Sequence, residues 1–310
     1  MNKNIDISVA VPIFNEEEVV EEFFKQTTQA LAPTNLSYEI IFVDDGSRDR
    51  SYELLKKMKQ QDAEHVRVLK LARNFGHQLA ITAGMRVAQG RAVVVMDGDL
   101  QDPPAVIPQF IKEWKNGYQV IYGIRVQRKG ESFFKKITAV LFYKLLRVLT
   151  KVDIPENVGD FYLLDRKVVD VLNEMQERHR FIRGLVAWVG FKRKGIEYQR
   201  DPRFAGHTKF GLWKMLVFSF DAITSFSFVP LKAITALGII ISFFSFIGIL
   251  ASIYVRLFTN STVVGWTSLM VSILFIGGIQ LLAIGLIGEY LARIGDDVKR
   301  RPLYTVEEFL

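Results

Sequence analysis

AVVVMDGDLQDPP, residues 92–104, places two carboxylates one residue apart directly after a run of valines. The run Ala92–Met96 predicts a buried strand, so Asp97 and Asp99 stand at its end. Carboxylate oxygens suit a hard divalent cation, and Mg²⁺ usually takes one or two carboxylates together with substrate phosphates. A D-x-D pair alone is common in surface turns. After this strand, and before Leu100–Pro104, it predicts that Asp97 and Asp99 bind Mg²⁺ or Mn²⁺ together with a diphosphate.

Three further strands precede this one, and helices separate them. We predict strands at Ile7–Phe14, Tyr38–Val43 and His65–Leu71, and helices at Glu16–Leu31, Asp49–Gln61 and Gln78–Gln89. Regular alternation of strand and helix predicts an α/β domain with an open, mostly parallel sheet and helices on both faces. Ligands bind such sheets at the carboxyl ends of the strands. Acids collect at those ends in this chain: Glu16, Asp44, Asp45, Asp97 and Asp99. No G-x-G-x-x-G or P-loop motif follows any strand, which argues against a dinucleotide site.

The last third of the chain has a different composition. Ala233–Val255 and Val263–Ile287 contain no charged residue, and each run exceeds the roughly 20 residues that cross a bilayer as a helix. Lysines and arginines flank the pair on its outer sides, whereas the connection carries only Arg256. The positive-inside rule therefore predicts a two-helix hairpin with both ends in the cytoplasm. The polar N-terminus excludes a signal peptide.

Charge and cysteine content limit the partners. The 310-residue chain has a net charge of +7 and no cysteine, so disulfides and thiolate metal sites are impossible. Because the basic residues crowd toward the membrane-proximal segments, we interpret the charge as attraction to anionic lipid rather than to nucleic acid. Ser132–Val152 and Lys209–Phe228 are basic, aromatic and apolar, which is typical of helices that lie in the membrane interface. The alternative is that both pack against the folded domain.

These observations predict four regions. Residues 1–208 form the cytoplasmic α/β domain, with an interfacial helix near 132–152. Residues 209–229 form a juxtamembrane amphipathic helix, residues 230–290 hold two transmembrane helices at about 233–255 and 263–287, and residues 291–310 form a cytoplasmic tail. The predicted location is the inner or plasma membrane, with several membrane crossings and the catalytic domain in the cytoplasm.

Five motifs give the chain a family resemblance. They are VPIFNEEE from Val11, VDDGSRD from Val43, RNFGHQLA from Arg73, MDGDLQDPP from Met96 and GDFYLLDR from Gly159. In this order they resemble family 2 glycosyltransferases of the polyprenyl-phosphate branch, and the hairpin tail is most similar to the bactoprenol glucosyltransferase type. The resemblance covers about residues 5 to 210. It implies a GT-A fold, a nucleotide-sugar donor and a polyprenyl phosphate acceptor.

The resemblance also implies residue roles. Nucleotide-sugar contacts are implied for Pro12, Phe14, Asn15, Glu16, Asp44, Asp45, Asp97, Gly98 and Gln101. Asp99 is implied as the metal ligand, beside Asp97. Cationic contacts with phosphate or with the acceptor are implied for Arg125, Arg203 and Lys209. The chain departs from the family's D-x-G-D-F-R pattern, since Asn157 and Tyr162 replace the first acid and the arginine. We therefore take Asp160 as the acid of that loop, and Asp97, Asp99 and Asp160 as the catalytic residues.

The histidines form no predicted metal site, because none has the i, i+4 spacing of a helical pair. His77, inside the RNFGHQ motif, either lines the donor pocket or is structural. A homotetramer is predicted from the small residues of the second apolar run, Gly277, Gly278, Gly285 and Gly288, together with the resemblance.

The predicted reaction is a metal-dependent, inverting single displacement. It moves a hexose, with glucose from UDP-glucose preferred, to undecaprenyl or another polyprenyl phosphate. A phosphate monoester has a second pKa of about 6, so it can attack without a general base. Three alternatives stay open. The first is a polyprenyl-phosphate transferase with a different donor, such as GDP-mannose, and the second is a non-enzymatic membrane scaffold with a decayed transferase domain. The third is a processive polysaccharide synthase, which the absence of a Q-x-x-R-W motif disfavours.

Overall fold

The computed structural model describes residues 5–126, 155, 157–178, 180–200, 229–258 and 265–310. The chain divides into two compact units. The first comprises residues 1–222 together with 301–310, and the second comprises residues 223–300. The predicted interfacial helices near 132–152 and 209–229, and the predicted phosphate contacts Arg203 and Lys209, lie outside the described residues.

One eight-stranded sheet organises the first unit. Its strands are β1 (Ile7–Ile13), β2 (Tyr38–Asp44), β3 (Val66–Leu71), β4 (Ala92–Val95), β5 (Val120–Arg125), β6 (Val158–Asp165), β7 (Arg193–Tyr198) and β8 (Val306–Phe309). They lie in the order β7-β5-β6-β4-β1-β2-β3-β8. Strand β6 is antiparallel to both β4 and β5, and β8 is antiparallel to β3. The other pairings are parallel, so the predicted mostly parallel sheet is confirmed.

Helices cover both faces of this sheet. They are α1 (Val20–Leu31), α2 (Ser51–Gln61), α3 (His77–Val87), α4 (Ile107–Lys115), α5 (Arg166–Glu174) and α6 (Ile182–Trp188). Every residue of β1 is buried, which explains why its sequence is continuously apolar instead of alternating. Alternate β1 side chains join Phe23 of α1 and Phe110 of α4 in one core. Gly84 of α3 lies against Ala10 and Val43 on the opposite face.

The predicted elements agree with the structure to within about two residues, apart from the start of α1. The segment Glu16–Val19, predicted as its first turn, is not helical: Glu17–Val19 form a turn ahead of the helix. The sequence pattern predicts no strand in the last ten residues. In the structure β8 pairs with β3, and Lys70 Nζ lies 3.0 Å from the carboxylate of Glu307. Tyr52 donates a hydrogen bond to Glu308.

Two long helices make up the described part of the second unit, α7 (Val229–Phe258) and α8 (Trp266–Val298). Among the described residues, Val271–Val298 is long and apolar enough to cross a membrane. Within the part of α7 whose side chains the structure describes, Ile234–Gly248 is an apolar stretch, and the uncharged run Ala233–Val255 lies inside this helix. One of the two predicted spans therefore meets the criterion by length and composition.

The contact between α3 and the sheet gives a stability prediction. A Cβ on Gly84 would lie 3.0 Å from Ala10 Cβ and 3.2 Å from Val43 Cγ2. Valine has the better helix propensity, but overpacking this contact should dominate and cost Gly84→Val about 1–3 kcal/mol of unfolding free energy. Denaturant unfolding followed by circular dichroism would measure the loss. Lys57→Val, on the exposed face of α2, is the control and should change stability little. Equal stability of the two variants would contradict the packing described.

Candidate active site

The topology brings chemically reactive side chains to one edge of the sheet. Because β1, β2 and β4 are parallel, the residues after them, 14–16, 45 and 97–99, come out at the same edge. Strand β6 runs the other way, so Asp160, near its beginning, also lies there. The last residues of β5 and β7, Arg125 and Tyr198, are paired in register at this edge. The edge therefore collects acids from four strands.

The loops after β1 and β2 hold each other. The Asn15 backbone N–H donates to Ser47 Oγ at 3.0 Å, and Asn15 Oδ1 accepts from the Arg48 N–H at 2.8 Å. Asn15 has a φ of 54°, in the left-handed region that asparagine tolerates better than most residues. The Glu16 N–H donates to Ser51 Oγ at 2.8 Å. The implied nucleotide loop is thus fixed by its own side-chain and backbone contacts.

The two acids that follow β2 have different surroundings. Asp45 accepts the backbone N–H groups of Phe75 and Gly76 at 2.7 and 2.9 Å, and so fixes the loop that begins α3. Asp44 is fully buried, and its Oδ2 accepts no hydrogen bond from the described residues. Burial raises the pKa of Asp44, although Ser47 opposes the shift. Of the pair, Asp44 has a buried oxygen that no hydrogen bond from the described residues satisfies.

A charged cluster surrounds Asp160, which is almost completely buried. Arg183 of α6 donates from Nε to Asp160 Oδ1 at 3.0 Å. Gln78 Nε2 donates to Oδ2 at 3.0 Å, and His77 Nε2 lies 3.2 Å from the same oxygen. His77 Nε2 also lies 3.3 Å from Asp97 Oδ1, in an ion-pair contact without hydrogen-bond geometry. His77 therefore lies between the two acids.

These contacts decide the protonation of the cluster. Burial alone would lower the pKa of His77, but the carboxylates of Asp97 and Asp160 outweigh burial and raise that pKa to about 9. Burial raises the pKa of Asp97 to about 6, against the attraction of His77. Burial would also raise the pKa of Asp160, yet Arg183 and His77 hold it well below its usual value. Asp160 is consequently a carboxylate, and His77 an imidazolium, at neutral pH.

The D-x-D loop is compact and closely held. Gly98 lies against β1, since a Cβ there would come within 2.5 Å of Ile13 Cδ1. Leu100 has a φ of 57°, and Asp99 Oδ1 accepts the Gln101 N–H at 3.1 Å across that turn. Asp99 itself is buried. The predicted contacts Asp97, Gly98, Asp99 and Gln101 thus lie in a single turn after β4.

The donor set fits a divalent cation that also needs phosphate ligands. The Asp97 side chain is 25% exposed, and apart from the ion-pair contact of Oδ1 with His77 that oxygen accepts no hydrogen bond from the described residues. In the part of the chain that the structure describes, no group of three or more acids or histidines is placed to hold a metal alone. Mg²⁺ and Mn²⁺ in nucleotide sites take few protein carboxylates and complete their shell with phosphate oxygens and water. Asp97 and Asp99 are the residues that would hold such an ion.

Arg125 is held by partners that the sequence analysis did not name. Its Nη2 donates to Asp102 Oδ2 at 3.0 Å, and its Nε donates to the Tyr198 hydroxyl at 3.1 Å. The guanidinium lies so close to Gly159 that a Cβ on this glycine would be 2.1 Å from Arg125 Nη2. In the structure Arg125 is thus bound to a buried carboxylate, and its implied contact with a substrate phosphate stays a prediction.

The departure at Asn157 has a backbone explanation. Asn157 is exposed and has a φ of 57°, so it occupies a left-handed turn directly before β6. Tyr162 is buried within β6, where it pairs with Val95. The acid in the cluster is Asp160, the one chosen for this loop in the sequence analysis.

Several residues of the site were missed from the sequence. Gln78 and Asp102 stand inside quoted motifs, RNFGHQ and MDGDLQDPP, and that position was a usable signal. His77 was considered, with its role left open between the donor pocket and the core. Arg183 and Tyr198 lie in no motif, and only the folded arrangement of α6 and β7 brings them to the edge.

The comparisons with known proteins fit this site. The glycosyl transferase family 2 model matches residues 8–172. The chain therefore belongs to glycosyl transferase family 2, has a GT-A-like α/β fold, and is a glycosyltransferase, as the motifs predicted.

Relatives match over nearly the whole length. An uncharacterized glycosyltransferase of Bacillus subtilis (strain 168) is 50% identical over 308 residues, covering 99% of this chain and 95% of that protein. One from Synechocystis is 43% identical over 304 residues, covering 98% and 95%. A prophage bactoprenol glucosyl transferase homolog of Escherichia coli (strain K12) is 39% identical over 301 residues, covering 97% and 98%.

The charged cluster gives a second stability prediction. Arg183→Met removes the guanidinium from a carboxylate that is almost completely buried, and should cost about 2–4 kcal/mol because Asp160 stays charged. Arg50→Met is the matched control: its Nε also lies 3.0 Å from a carboxylate, that of Glu17, but the arginine side chain is 83% exposed. Exposed pairs contribute little, so the control should unfold like the parent chain. Comparable losses in both variants would contradict the buried pairing.

Proposed function

We propose that this glycosyltransferase moves a hexose from a UDP-sugar to a polyprenyl phosphate, with UDP-glucose as the preferred donor. The observation that carries the proposal is the pair of carboxylates Asp97 and Asp99 in one turn after β4, at the carboxyl ends of the parallel strands β1, β2 and β4. This is where α/β proteins bind nucleotides. Relatives named bactoprenol glucosyl transferase, 38–39% identical over nearly the whole chain, support the acceptor and the sugar.

The proposed reaction is one displacement. A phosphate oxygen of the lipid attacks the anomeric carbon, the bond from that carbon to the diphosphate oxygen breaks, and UDP leaves with the electron pair. A bound Mg²⁺ or Mn²⁺ would neutralise the charge that develops on the diphosphate. The chain's part is to hold both substrates in line, and attack from the opposite side inverts the anomeric centre.

No side chain needs to accept a proton in this reaction, since the lipid phosphate is already largely dianionic at neutral pH. The surroundings of Asp160 agree with this. A general base works best with a pKa near the operating pH, whereas Arg183 and His77 hold the pKa of Asp160 well below its usual value. We assign Asp160 the role of holding the imidazolium of His77 beside Asp97, where it adds positive charge to the donor site.

The path of the chain supports a proposal for the membrane arrangement. Residues 301–310 belong to the same compact unit as residues 1–222, and β8 is hydrogen-bonded to β3. A polypeptide that leaves this unit and returns to it must cross a membrane an even number of times. With α8 as one crossing, we propose that α7 supplies the other, which gives the predicted hairpin and a catalytic domain on the cytoplasmic face. Homotetramer formation stays a prediction.

The function has a direct test. Purified full-length chain, given undecaprenyl phosphate and Mn²⁺, should form a glycosylated lipid from UDP-glucose in preference to UDP-galactose, UDP-GlcNAc and GDP-mannose. Asp99→Ala should lower turnover at least about 100-fold, because the charge on the leaving diphosphate loses its counter-ion. Asp170→Ala, a surface acid on α5, is the control. Formation of no lipid product from any donor would refute the proposed acceptor, and a preference for GDP-mannose would refute the donor.

The topology has its own test, which the absence of cysteine makes simple. In intact spheroplasts an impermeant maleimide should label Thr262→Cys, between the two helices. It should label Lys299→Cys, after α8, only once the membrane is permeabilised. The reverse pattern would place the catalytic domain outside. Labelling of both positions from the same side would exclude the hairpin.

A further inference from the structure

Asp102 lies three residues beyond Asp99 and is fully buried, yet nothing in the proposed chemistry uses it. Arg125 Nη2 donates to Asp102 Oδ2 at 3.0 Å and to Asp102 Oδ1 at 3.3 Å, and the Tyr198 hydroxyl donates to Oδ1 as well. Arg200 Nε lies 3.7 Å from Asp102 Oδ1. The partners come from the end of β5 and from β7 and the residues after it, so one side chain of the D-x-D loop is tied to two strands on the far side of β6.

The partners of Asp102 have little freedom to move. Tyr198 is buried, with its ring edge-on to Phe161 at a centroid distance of 5.6 Å. The same ring fills the space beside Gly123, where a Cβ would lie 2.5 Å from Tyr198 Cε1. Arg125 is confined between Asp102 and the backbone of Gly159. Asp102 is therefore anchored to groups that the sheet itself holds in place.

This anchor fixes the second end of the D-x-D loop. The first end is β4, which pairs with β1 and β6. Between the ends lies the left-handed turn at Leu100, closed by the bond from the Gln101 N–H to Asp99 Oδ1. Residues 97–102 are thus held at both ends, which leaves Asp99 few alternative positions. Release of Asp102 would free the turn that orients the Asp99 carboxylate.

We propose that Asp102 is a positioning residue, held by Tyr198 and Arg125, that fixes the Asp97 and Asp99 carboxylates in the orientation that binds a metal–nucleotide complex. The proposal rests on the proposed function for the identity of that complex. Burying an ion pair adds little net stability compared with apolar packing. Residues that orient metal ligands, by contrast, commonly affect metal affinity about 10- to 100-fold.

The far edge of the same sheet offers a matched control. Tyr52 donates to the carboxylate of Glu308 as Tyr198 donates to that of Asp102. Burial is the largest effect that raises the hydroxyl pKa of both tyrosines, and the carboxylate that accepts the hydrogen bond raises that pKa further. Tyr52→Phe and Tyr198→Phe thus each remove a hydroxyl that donates to a carboxylate, that of Asp102 being fully buried and that of Glu308 partly buried. Only Tyr198 is connected to the D-x-D loop.

The experiment compares Tyr198→Phe, Asp102→Asn and Tyr52→Phe in the full-length chain in detergent. Calorimetry measures UDP affinity with saturating Mn²⁺ and again with EDTA, and thermal unfolding gives stability. A kinetic arm measures the Mn²⁺ concentration that gives half-maximal transfer. We expect Tyr198→Phe and Asp102→Asn to weaken Mn²⁺-dependent UDP binding about tenfold, with UDP binding in EDTA unchanged. Added Mn²⁺ should restore most of kcat. Tyr52→Phe should bind UDP as the parent chain does.

Two outcomes would overturn the proposal. In the first, Tyr198→Phe matches Tyr52→Phe in Mn²⁺-dependent UDP binding. In the second, Tyr198→Phe loses UDP affinity equally with and without metal, which is the behaviour of a residue that only supports the fold. If Asp102→Asn does not fold, Tyr198→Phe, which keeps the ring and its packing, decides alone. A parent chain that binds Mn²⁺ and UDP but transfers no sugar to lipid phosphate would refute the proposed function and leave this inference standing.

Discussion

Repulsion among carboxylates crowded at one edge of the sheet is the constraint on which the rest of the site depends. Asp97, Asp102 and Asp160 come from neighbouring segments; Asp102 and Asp160 are buried, and the Asp97 side chain is 25% exposed. Like charges in a poorly solvated space disfavour ionisation unless cations balance them. The fold supplies a balance for two of the three: Arg125 pairs with Asp102, and Arg183 with Asp160. Asp97 has only a share of His77, which also contacts Asp160, so among these three acids Asp97 is the one whose charge a bound metal would balance.

The sequence predicted the part of the fold in which local pattern and global structure agree. Strands β1 and β4 are continuous apolar or small-residue runs because helices bury both faces of the sheet there, whereas β3, with Arg67 and Lys70, is only partly buried. Strand β7, with the sequence RKGIEY, is polar because it lies at an edge of the sheet, where only its last residue is fully buried. The four residues of β8 pair with a strand more than 230 positions away, as the contact between Lys70 and Glu307 shows. No periodicity within so short a segment signals that pairing.

The site was predictable to the extent that its acids follow strands. Asp97, Asp99 and Asp160 could be named from strand ends and motif positions, and the structure brings them to one edge. Their partners could not, because Arg183 is 23 residues from Asp160 in sequence and Tyr198 is 96 residues from Asp102. Asn157 looked like a lost acid when compared with the family motif. In the structure it occupies a left-handed turn, a conformation that asparagine adopts more readily than most residues.

In the proposed function, Asp97 and Asp99 would hold the metal ion together with oxygens of the donor diphosphate. Mn²⁺ binding to the full-length chain, followed by the EPR signal of free Mn²⁺ with and without UDP, tests this directly. We expect Mn²⁺ to bind at least about tenfold more tightly when UDP is present, and UDP to bind more tightly with Mn²⁺ by the same factor. Equal Mn²⁺ affinity with and without UDP would contradict the shared site at this edge of the sheet.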